Sequence, residues 1–326
     1  MSEKETKKKS KRRKIEDLLP QLDGKVLLFK DFTTILEKGR DERREIIAQF
    51  RECYDGSFAK KVGTVDKTIS YSSRFGLIAG VTPIIDKHWK VMQQLGERFL
   101  KVRWRENPDV VTKRARENEG YEKVMRKELE ENSDNFISKL NFDRIPTFDD
   151  DEFGDFVSKI AKFIAHARTP ISFNESADDF YFEFIPTPEM PTRLVKQLKK
   201  SAKCLALIRG KSEVDNEEIQ TLLRVAKDTI PQDRLAILEI ISNFQHESLL
   251  GCSRRKIYAS LKIPETSIRR ILAQLIALDL ILEKKERQES YDYSQEACYY
   301  QTTALWVDIF GTLPEKSGDI KDNEAR

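Results

Sequence analysis

Short apolar segments alternate with amphipathic segments over the first third of the chain. Val26–Phe29 is a wholly apolar run of strand length, and 75–81 is a second run without charged residues; 99–104, which includes Lys101 and Arg103, is predicted as a third strand. Runs without polar alternation are typical of strands buried on both faces of a parallel sheet. Between the first two runs, the pattern predicts a helix over 41–53 and a β-hairpin over 57–72. The sequence therefore predicts an α/β core.

From residue 109 onward the spacing of apolar positions becomes helical. Residues 109–140 are highly charged and carry a thin apolar stripe. Residues 148–156 form an acidic break, whose carboxylates suit the start of a helix that Pro170 ends. Pro191 predicts the start of the next helix, which ends at Gly210. The one after it has a capping box, because Glu218 follows Asp215 by three residues.

The pattern over 232–306 predicts three helices followed by two strands. The second helix starts at Ser253, a short turn follows Leu261, and the third helix starts at Glu265. This is the order of a winged-helix domain. The polar positions predicted to face outward can contact bases or phosphates; they are Thr266, Ser267, Arg269, Arg270 and Gln274 on the third helix, and Lys284, Lys285 and Arg287 on the wing. A winged helix that contacts protein, or a plain helical bundle, stays an alternative.

Composition limits the partners of this chain. Of its 326 residues 39% are apolar and 35% are charged, and the net charge of +3 means that nucleic-acid affinity must come from local patches. The run over 7–14 is such a basic patch, in an arm that either solubilises the chain, contacts phosphates or acts as a nuclear address. The four cysteines have no metal-binding spacing, which argues against zinc. No apolar run approaches the ~20 residues of a membrane span, so we expect no membrane partner.

Polar residues follow the first two predicted strands. Asp31 ends the first strand, and Thr82 ends the second. In a nucleoside triphosphatase, an acidic residue at such a tip orients Mg²⁺ through water, and a polar neighbour bonds the γ-phosphate or the attacking water. Arg98 precedes the third strand, where it can reach a neighbouring subunit as an arginine finger. The alternatives are an ordinary strand-ending Asp31 and a surface salt bridge at Arg98.

These motifs, in this order, resemble the carboxyl-terminal two-thirds of an AAA+ ATPase of phage or mobile-element type. The resemblance covers roughly residues 17–305, and its last part is also similar to minichromosome maintenance helicases. It implies ATP and Mg²⁺ as cofactors, with Asp31 and Arg98 in catalysis and with Thr82 and the sensor-2 residue Arg193 at the nucleotide. The segments that carry it are Lys30-Asp31-Phe32-Thr33, Tyr54-Asp55-Gly56, Ala79-Gly80-Val81-Thr82-Pro83, Gly96-Glu97-Arg98-Phe99 and Pro191-Thr192-Arg193-Leu194.

The expected architecture is mainly helical overall. It is an α/β partial AAA+ core, followed by an all-α lid and a winged helix. The expected boundaries are a flexible basic arm over 1–16, the core over 17–108, a helical insertion and lid over 109–230, the winged helix over 231–310 and a disordered tail over 311–326.

Two features depart from the family pattern. The chain has no GxxxxGK[ST] loop, and Phe32 stands after Asp31 where the family has a glutamate. We therefore expect the loop upstream of Met1 in a truncated product, or on a partner subunit, with self-association also expected. On this hypothesis the chain is a DNA-associated ATPase subunit or fragment in replication or mobile-element maintenance, cytoplasmic and nucleoid-associated. The alternative is a non-enzymatic winged-helix DNA-binding or adaptor protein with a relic ATPase core.

Overall fold

The computed structural model describes residues 21–61, 68–88, 98–175, 180–182, 187–290 and 293–311. The chain divides into two compact units, and the boundary lies between Arg98 and Phe99. The predictions for the basic arm over 1–16 and for a tail beyond 311 lie outside the described residues, as does the turn of the predicted hairpin over 62–67.

The first unit contains a two-stranded parallel sheet, as predicted. Strand β1 (Val26–Phe29) pairs with β4 (Gly76–Ala79). Between them, helices α1 (Thr33–Leu36) and α2 (Arg40–Tyr54) precede an antiparallel pair, β2 (Ser57–Lys61) and β3 (Thr68–Ser72). A single 3₁₀ turn, Pro83–Asp86, follows β4.

The prediction that β1 and β4 are buried on both faces was wrong. Val26, Leu28 and Ile78 are each about three-fifths exposed. Because side chains alternate along a strand, Phe29 and Ala79 contribute to the other face, where they pack on a small core of Phe32, Ile35, Leu36 and Ile85. In the described part of the first unit, only one face of the sheet is therefore covered.

The predicted third strand over 99–104 does not form. Its backbone N–H groups bond to side chains instead of to a neighbouring strand: Lys101 donates to Thr229 Oγ1 at 3.1 Å and Arg103 to Asp228 Oδ2 at 2.9 Å. The segment belongs to the second unit. The prediction of a strand was therefore wrong, because the side chains of Thr229 and Asp228 accept from these two backbone N–H groups.

Helices α3 (Pro108–Glu117) and α4 (Glu122–Lys139) follow, as the helical spacing over 109–140 predicted. Neither helix buries any residue. The apolar stripe along them is on the surface.

The rest of the second unit is built around one continuous hydrophobic core. Helix α5 (Asp150–Ala167) begins inside the acidic segment, where Asp149 caps it by accepting from two backbone N–H groups. The acidic residues are thus the start of the helix, as predicted. A short antiparallel pair, β5 (Phe173–Glu175) and β6 (Phe180–Phe182), precedes α6 (Thr192–Ile208) and α7 (Asn216–Thr229). The predicted capping box of Asp215 and Glu218 is confirmed at the start of α7.

The carboxyl-terminal part continues from that core. Helix α8 (Gln232–Phe244) is followed by β7 (Cys252–Ser253), α9 (Arg254–Ser260), α10 (Glu265–Ala277) and the long antiparallel pair β8 (Ile281–Ser290) and β9 (Tyr293–Thr302). The strands form a three-stranded sheet in the order β7-β9-β8. The short α11 (Ala304–Trp306) and a π-helical turn, Val307–Gly311, close the described chain.

Strand β7 was not predicted, and one glycine explains its position. Gly251 has a φ of +107°, and a Cβ there would lie 2.4 Å from the carbonyl oxygen of Tyr300. Only glycine allows β7 to approach β9 so closely in this conformation.

Candidate functional site

The carboxyl ends of β1 and β4 bring the two predicted tip residues into one place. Thr33 lies two residues after Asp31, and its hydroxyl oxygen is 3.3 Å from that of Thr82. Asp31 Oδ1 accepts from the Thr33 backbone N–H at 3.0 Å, while the Thr82 N–H donates weakly to Thr33 Oγ1 at 3.4 Å. Together, Asp31, Thr33 and Thr82 form a polar edge with one exposed carboxylate and two hydroxyls. Sequence reasoning missed Thr33, although the motif Lys30-Asp31-Phe32-Thr33 contains it.

Gly80 makes this close approach possible. Its N–H donates to the Phe29 carbonyl at 2.8 Å, and its own carbonyl accepts from Phe32 at 2.8 Å. A Cβ at Gly80 would lie 2.8 Å from the Lys30 carbonyl oxygen. Any side chain here would push the two strand ends apart.

Arg98 is not presented outward as an arginine finger. Its guanidinium donates to Asp55 Oδ2 at 3.0 Å and lies 5.4 Å from the Tyr54 ring centroid, so that only 8% of the side chain is exposed. This ion pair with the end of α2 corresponds to the salt bridge that was the alternative interpretation. The neighbouring Gly96 and Glu97 lie outside the described residues.

Arg193 lies in the first turn of α6, in the second unit, whereas Asp31, Thr82 and Arg98 belong to the first. It is close to Arg168, which ends α5 and contacts Glu189 at 3.5 Å. Burial, followed by the nearby charge of Arg193, lowers the pKa of Arg168. Within the second unit, Arg193 therefore contributes to a cationic cluster at the junction of α5 and α6.

Helix α10 presents only some of the predicted contact residues. Arg269 is exposed, while Ser267 and Arg270 are half-buried. Gln274 points inward, contrary to prediction, because its carbonyl oxygen accepts from Arg234 Nη2 at 2.8 Å and from Nε at 3.0 Å.

Arg234 itself connects α5, α8 and α10. It is 4% exposed, and its Nη1 donates to the carbonyl oxygens of Ala167 at 2.7 Å and Thr169 at 2.9 Å. The last carbonyls of a helix have no partner within it, so Arg234 supplies the donors that α5 lacks. Burial lowers the pKa of Arg234 to about 10, against the smaller effect of Asp233. The sequence gave no signal for this contact, because 67 residues separate Arg234 from Ala167.

The β8–β9 hairpin is fixed at its base and charged along its length. Tyr300 OH donates to Glu283 Oε1 at 2.9 Å and accepts from Arg254 Nε at 3.1 Å. Burial raises the pKa of Tyr300 above its usual range; Arg254 opposes this rise, and the nearby charge of Glu283 adds to it. Beyond this network Lys284 and Lys285 are exposed, as predicted.

An acidic group at the start of α7 has the spacing of metal ligands. Asp215, Glu217 and Glu218 each offer an oxygen within 4.8 Å of the others. Lys211 donates to Asp215 at 2.8 Å and to Glu217 at 2.6 Å, and Arg209 contacts Glu218. Asp215 and Glu218 accept from backbone N–H groups at the start of α7, and Lys211 and Arg209 pair with the carboxylates, so the group acts as a helix cap in this structure.

Comparison of the sequence with protein-family models and with curated proteins finds no match. Within the described residues, no helix combines the length and apolar character that crossing a membrane requires.

Proposed function

We propose that residues 232–302 are a winged-helix module that binds double-stranded DNA, with α10 as its recognition helix. The order α8, β7, α9, α10, β8, β9 supports this, because a winged helix places a two-stranded wing after its third helix. The major groove of B-DNA is about 12 Å wide and admits one helix. The exposed Arg269 on α10 is the observation that carries the proposal.

The wing supplies the second contact. Lys284 and Lys285 lie early in β8, directly after the half-buried Glu283 at the base of the hairpin, and both are exposed. We assign them to the phosphate backbone, where lysine acts as a point charge without reading sequence. We assign Arg269 to base edges or phosphates in the groove. Gln274 has no such role, because Arg234 holds its carbonyl oxygen.

A salt titration of duplex binding tests this proposal. We expect Lys284→Ala with Lys285→Ala to lower the slope of log affinity against log salt by about one for each lysine. Arg269→Ala should weaken binding by about 1–3 kcal/mol. Fluorescence anisotropy with a labelled duplex measures both.

Arg224→Ala is the matched control, since Arg224 is exposed on α7 outside the module. It should leave binding within a factor of about two, as distant surface substitutions do. If wild type and all the module variants bind the duplex with equal affinity, the DNA-binding site lies outside the module or the chain does not bind DNA.

A second candidate function rests on the edge formed by Asp31, Thr33 and Thr82. We propose that the first unit is a partial AAA+ type core that contributes to a nucleotide site in a DNA-associated ATPase assembly. Its support is the parallel pairing of β1 with β4, which places the carboxylate and the hydroxyls together at the carboxyl ends of the strands. Ligands of open α/β sheets bind at this edge.

The described residues fit Mg²⁺ and ATP only in part. The exposed Asp31 carboxylate suits a water-mediated Mg²⁺ contact, and hydroxyls suit phosphate oxygens. No described segment is a glycine-rich phosphate loop, and Arg98 is engaged with Asp55. We therefore assign no hydrolytic step to this chain. A P-loop-bearing partner subunit would have to complete the site.

Calorimetric titration with magnesium–ATP separates this candidate from a non-enzymatic DNA-binding or adaptor protein with a relic core. A partial site should bind in the millimolar range, about −4 kcal/mol, and Asp31→Ala should abolish that binding. Asp41→Ala is the control, because Asp41 is an exposed carboxylate in the first turn of α2. If wild type and Asp31→Ala give the same titration, the relic-core alternative is favoured.

A further inference from the structure

A hydrogen-bonded network at the base of the β8–β9 hairpin connects three elements of the proposed DNA-binding module. The Tyr300 hydroxyl accepts from Arg254 Nε at 3.1 Å and donates to Glu283 Oε1 at 2.9 Å. Arg254 Nη2 lies 3.4 Å from the same carboxylate oxygen. The three residues come from β9, α9 and β8, and we call them the wing-base network.

The chemistry of these three side chains fixes the direction of each hydrogen bond. A tyrosine hydroxyl has one proton to donate, an ionised carboxylate only accepts, and a guanidinium only donates. Because burial raises the pKa of Tyr300 above its usual range, the hydroxyl keeps its proton at neutral pH. That proton goes to Glu283, and a lone pair of the hydroxyl receives Arg254. Each bond has one ionised partner, and such bonds are roughly twice as strong as neutral ones.

Tyr300 is the fixed point of the wing-base network. It is 1% exposed. The backbone holds it on both sides, because it pairs with Cys252 of β7 and with Glu283 of β8. Arg254 begins α9 two residues after Cys252. The network therefore joins the base of the hairpin to the helix that precedes α10.

The two lysines that we assign to phosphates follow this fixed point directly. Lys284 and Lys285 are the next two residues of β8 after Glu283. Strands β8 and β9 pair over ten positions, whereas β7 pairs with β9 over two. A long hairpin with so short a backbone attachment depends on side-chain contacts at its base for its direction. The wing-base network supplies such contacts immediately before the lysines.

The network also controls a negative charge beside these lysines. Side chains at alternate positions of a strand share a face, so Glu283 and Lys285 lie on the same face of β8, about 7 Å apart along the strand. The Glu283 side chain is 24% exposed, and the guanidinium of Arg254 balances its charge. A carboxylate released from Arg254 would be within reach of Lys285 and would repel phosphates.

We propose that Tyr300 is a positioning residue for DNA binding, which holds the Glu283 carboxylate against Arg254 and so directs Lys284 and Lys285 to the phosphate backbone. This inference rests on the proposed binding of duplex DNA by the module. Because Tyr300 is buried, its effect passes through the lysines and not through a contact of its own with DNA. The number of phosphates that the protein neutralises sets the salt dependence of binding, which is therefore the quantity to measure.

A salt titration of duplex binding with two tyrosine variants tests this role. Tyr300→Phe removes the hydroxyl and keeps the ring. Tyr299→Phe is the matched control, since it removes a hydroxyl from the adjacent residue, on the other face of β9. We expect Tyr300→Phe to lower the slope of log affinity against log salt by about one to two, and Tyr299→Phe to leave it unchanged. A loss of stability alone would reduce the active fraction without changing the slope.

Glu283→Gln and Glu283→Ala separate positioning from charge. Both substitutions remove one negative charge, but only glutamine keeps an oxygen that accepts from Tyr300 and Arg254. We expect the slope of Glu283→Ala to be lower than that of Glu283→Gln by about one or more. Glu283 is half-buried, so this pair tests the network even if Tyr300→Phe folds poorly.

Combining the variants shows whether Tyr300 acts through the lysines. Lys284→Ala and Lys285→Ala, added to Tyr300→Phe, should bring the slope to that of the lysine double variant and no lower. If the lysine double variant lowers the slope but Tyr300→Phe and Glu283→Ala keep the wild-type value, this inference is wrong while the DNA-binding proposal stands. If wild type does not bind the duplex, or binds it with a slope that the lysines do not affect, the wing contact and this inference are both wrong.

Discussion

Arg234 shows how a single buried side chain can determine the junction between helices. Truncating it in Arg234→Met leaves the carbonyls of Ala167 and Thr169, and the amide oxygen of Gln274, buried without these donors. Each such loss costs about 1–3 kcal/mol, so we expect the free energy of unfolding to fall by about 3 kcal/mol. Urea denaturation measures it. Arg224→Met, at an exposed site, should stay within about 0.5 kcal/mol of wild type.

Glu218 connects helix capping to acid stability. Burial opposes its ionisation, but the hydrogen bond from Arg209 and the further bonds from the Asp215 backbone and Lys211 together lower the pKa of this carboxyl below 4.5. Because the pKa of Glu218 is lower in the folded state than in the unfolded state, its carboxylate stabilises the fold fully above pH 4.5. This stabilisation is lost as pH falls through the pKa of the folded state.

We therefore expect the thermal midpoint of Glu218→Gln to depend less on pH below 4.5 than that of wild type. Scanning calorimetry between neutral and acidic pH measures the difference. Glu239→Gln is the control, since Glu239 is partly exposed and pairs with Lys227 in α7. If the thermal midpoints of wild type and Glu218→Gln fall equally as pH is lowered, folding does not lower the pKa of the Glu218 carboxyl.

At the scale of elements, the segment over 99–105 depends on the end of α7. Asp228 is 2% exposed and accepts from the backbone of Arg103 and from the Arg105 guanidinium at 2.9 Å. In Asp228→Ala we expect the segment to detach, since hydrogen bonds to a charged acceptor are worth about 1.5–3 kcal/mol each.

Hydrogen exchange should then accelerate at the Arg103 amide, while the amides of α10 keep the wild-type rate. Thr229→Val should act similarly on Lys101 alone, since it removes the other acceptor. Unchanged exchange at Arg103 in Asp228→Ala would show that packing, and not these bonds, holds the segment.

The elements that the sequence predicted carry their own boundary signals. The capping box of Asp215 and Glu218 and the proline before Thr192 are local, so the limits of α6 and α7 followed from residues within them. The segment over 99–104 was misassigned because its sequence pattern is the same whether a neighbouring strand or side chains accept from its backbone N–H groups. Strand β7 has only two residues and depends on Gly251 far from its partner β9 in sequence.

Contacts between residues far apart in sequence also limited what could be predicted about the candidate sites. The adjacency of Asp31 and Thr82 followed from parallel strand tips, which topology requires. The inward orientation of Gln274 and the pairing of Arg98 with Asp55 depend on side chains 40 and 43 residues away. Helical periodicity places Gln274 near a boundary of the exposed face, and its partner decides which way it points; no periodicity bears on Arg98.

At the scale of the whole molecule, the two units differ in how much they bury. Among the residues that the structure describes, the core cluster of the first unit has four buried apolar members, Phe32, Ile35, Leu36 and Ile85. The second unit has one continuous core that runs from Phe153 to Ile309 and joins α5 through α11. Burial of apolar area is the main stabilising term in folding, so the second unit should be much the more stable.

Native-state hydrogen exchange on the full chain can measure this difference. We expect amides of β1 and β4 to exchange through a local opening of low free energy, and those of α5 and α7 near the limit of global unfolding. The slow amides of the second unit should respond to Arg234→Met, whereas those of β1 should not, because β1 belongs to the other unit. If β1 and α5 instead exchange together, and Arg234→Met accelerates both, the chain unfolds as one cooperative body. The exposed apolar face of Val26, Leu28 and Ile78 would then need a stabilising contact beyond the four-residue core.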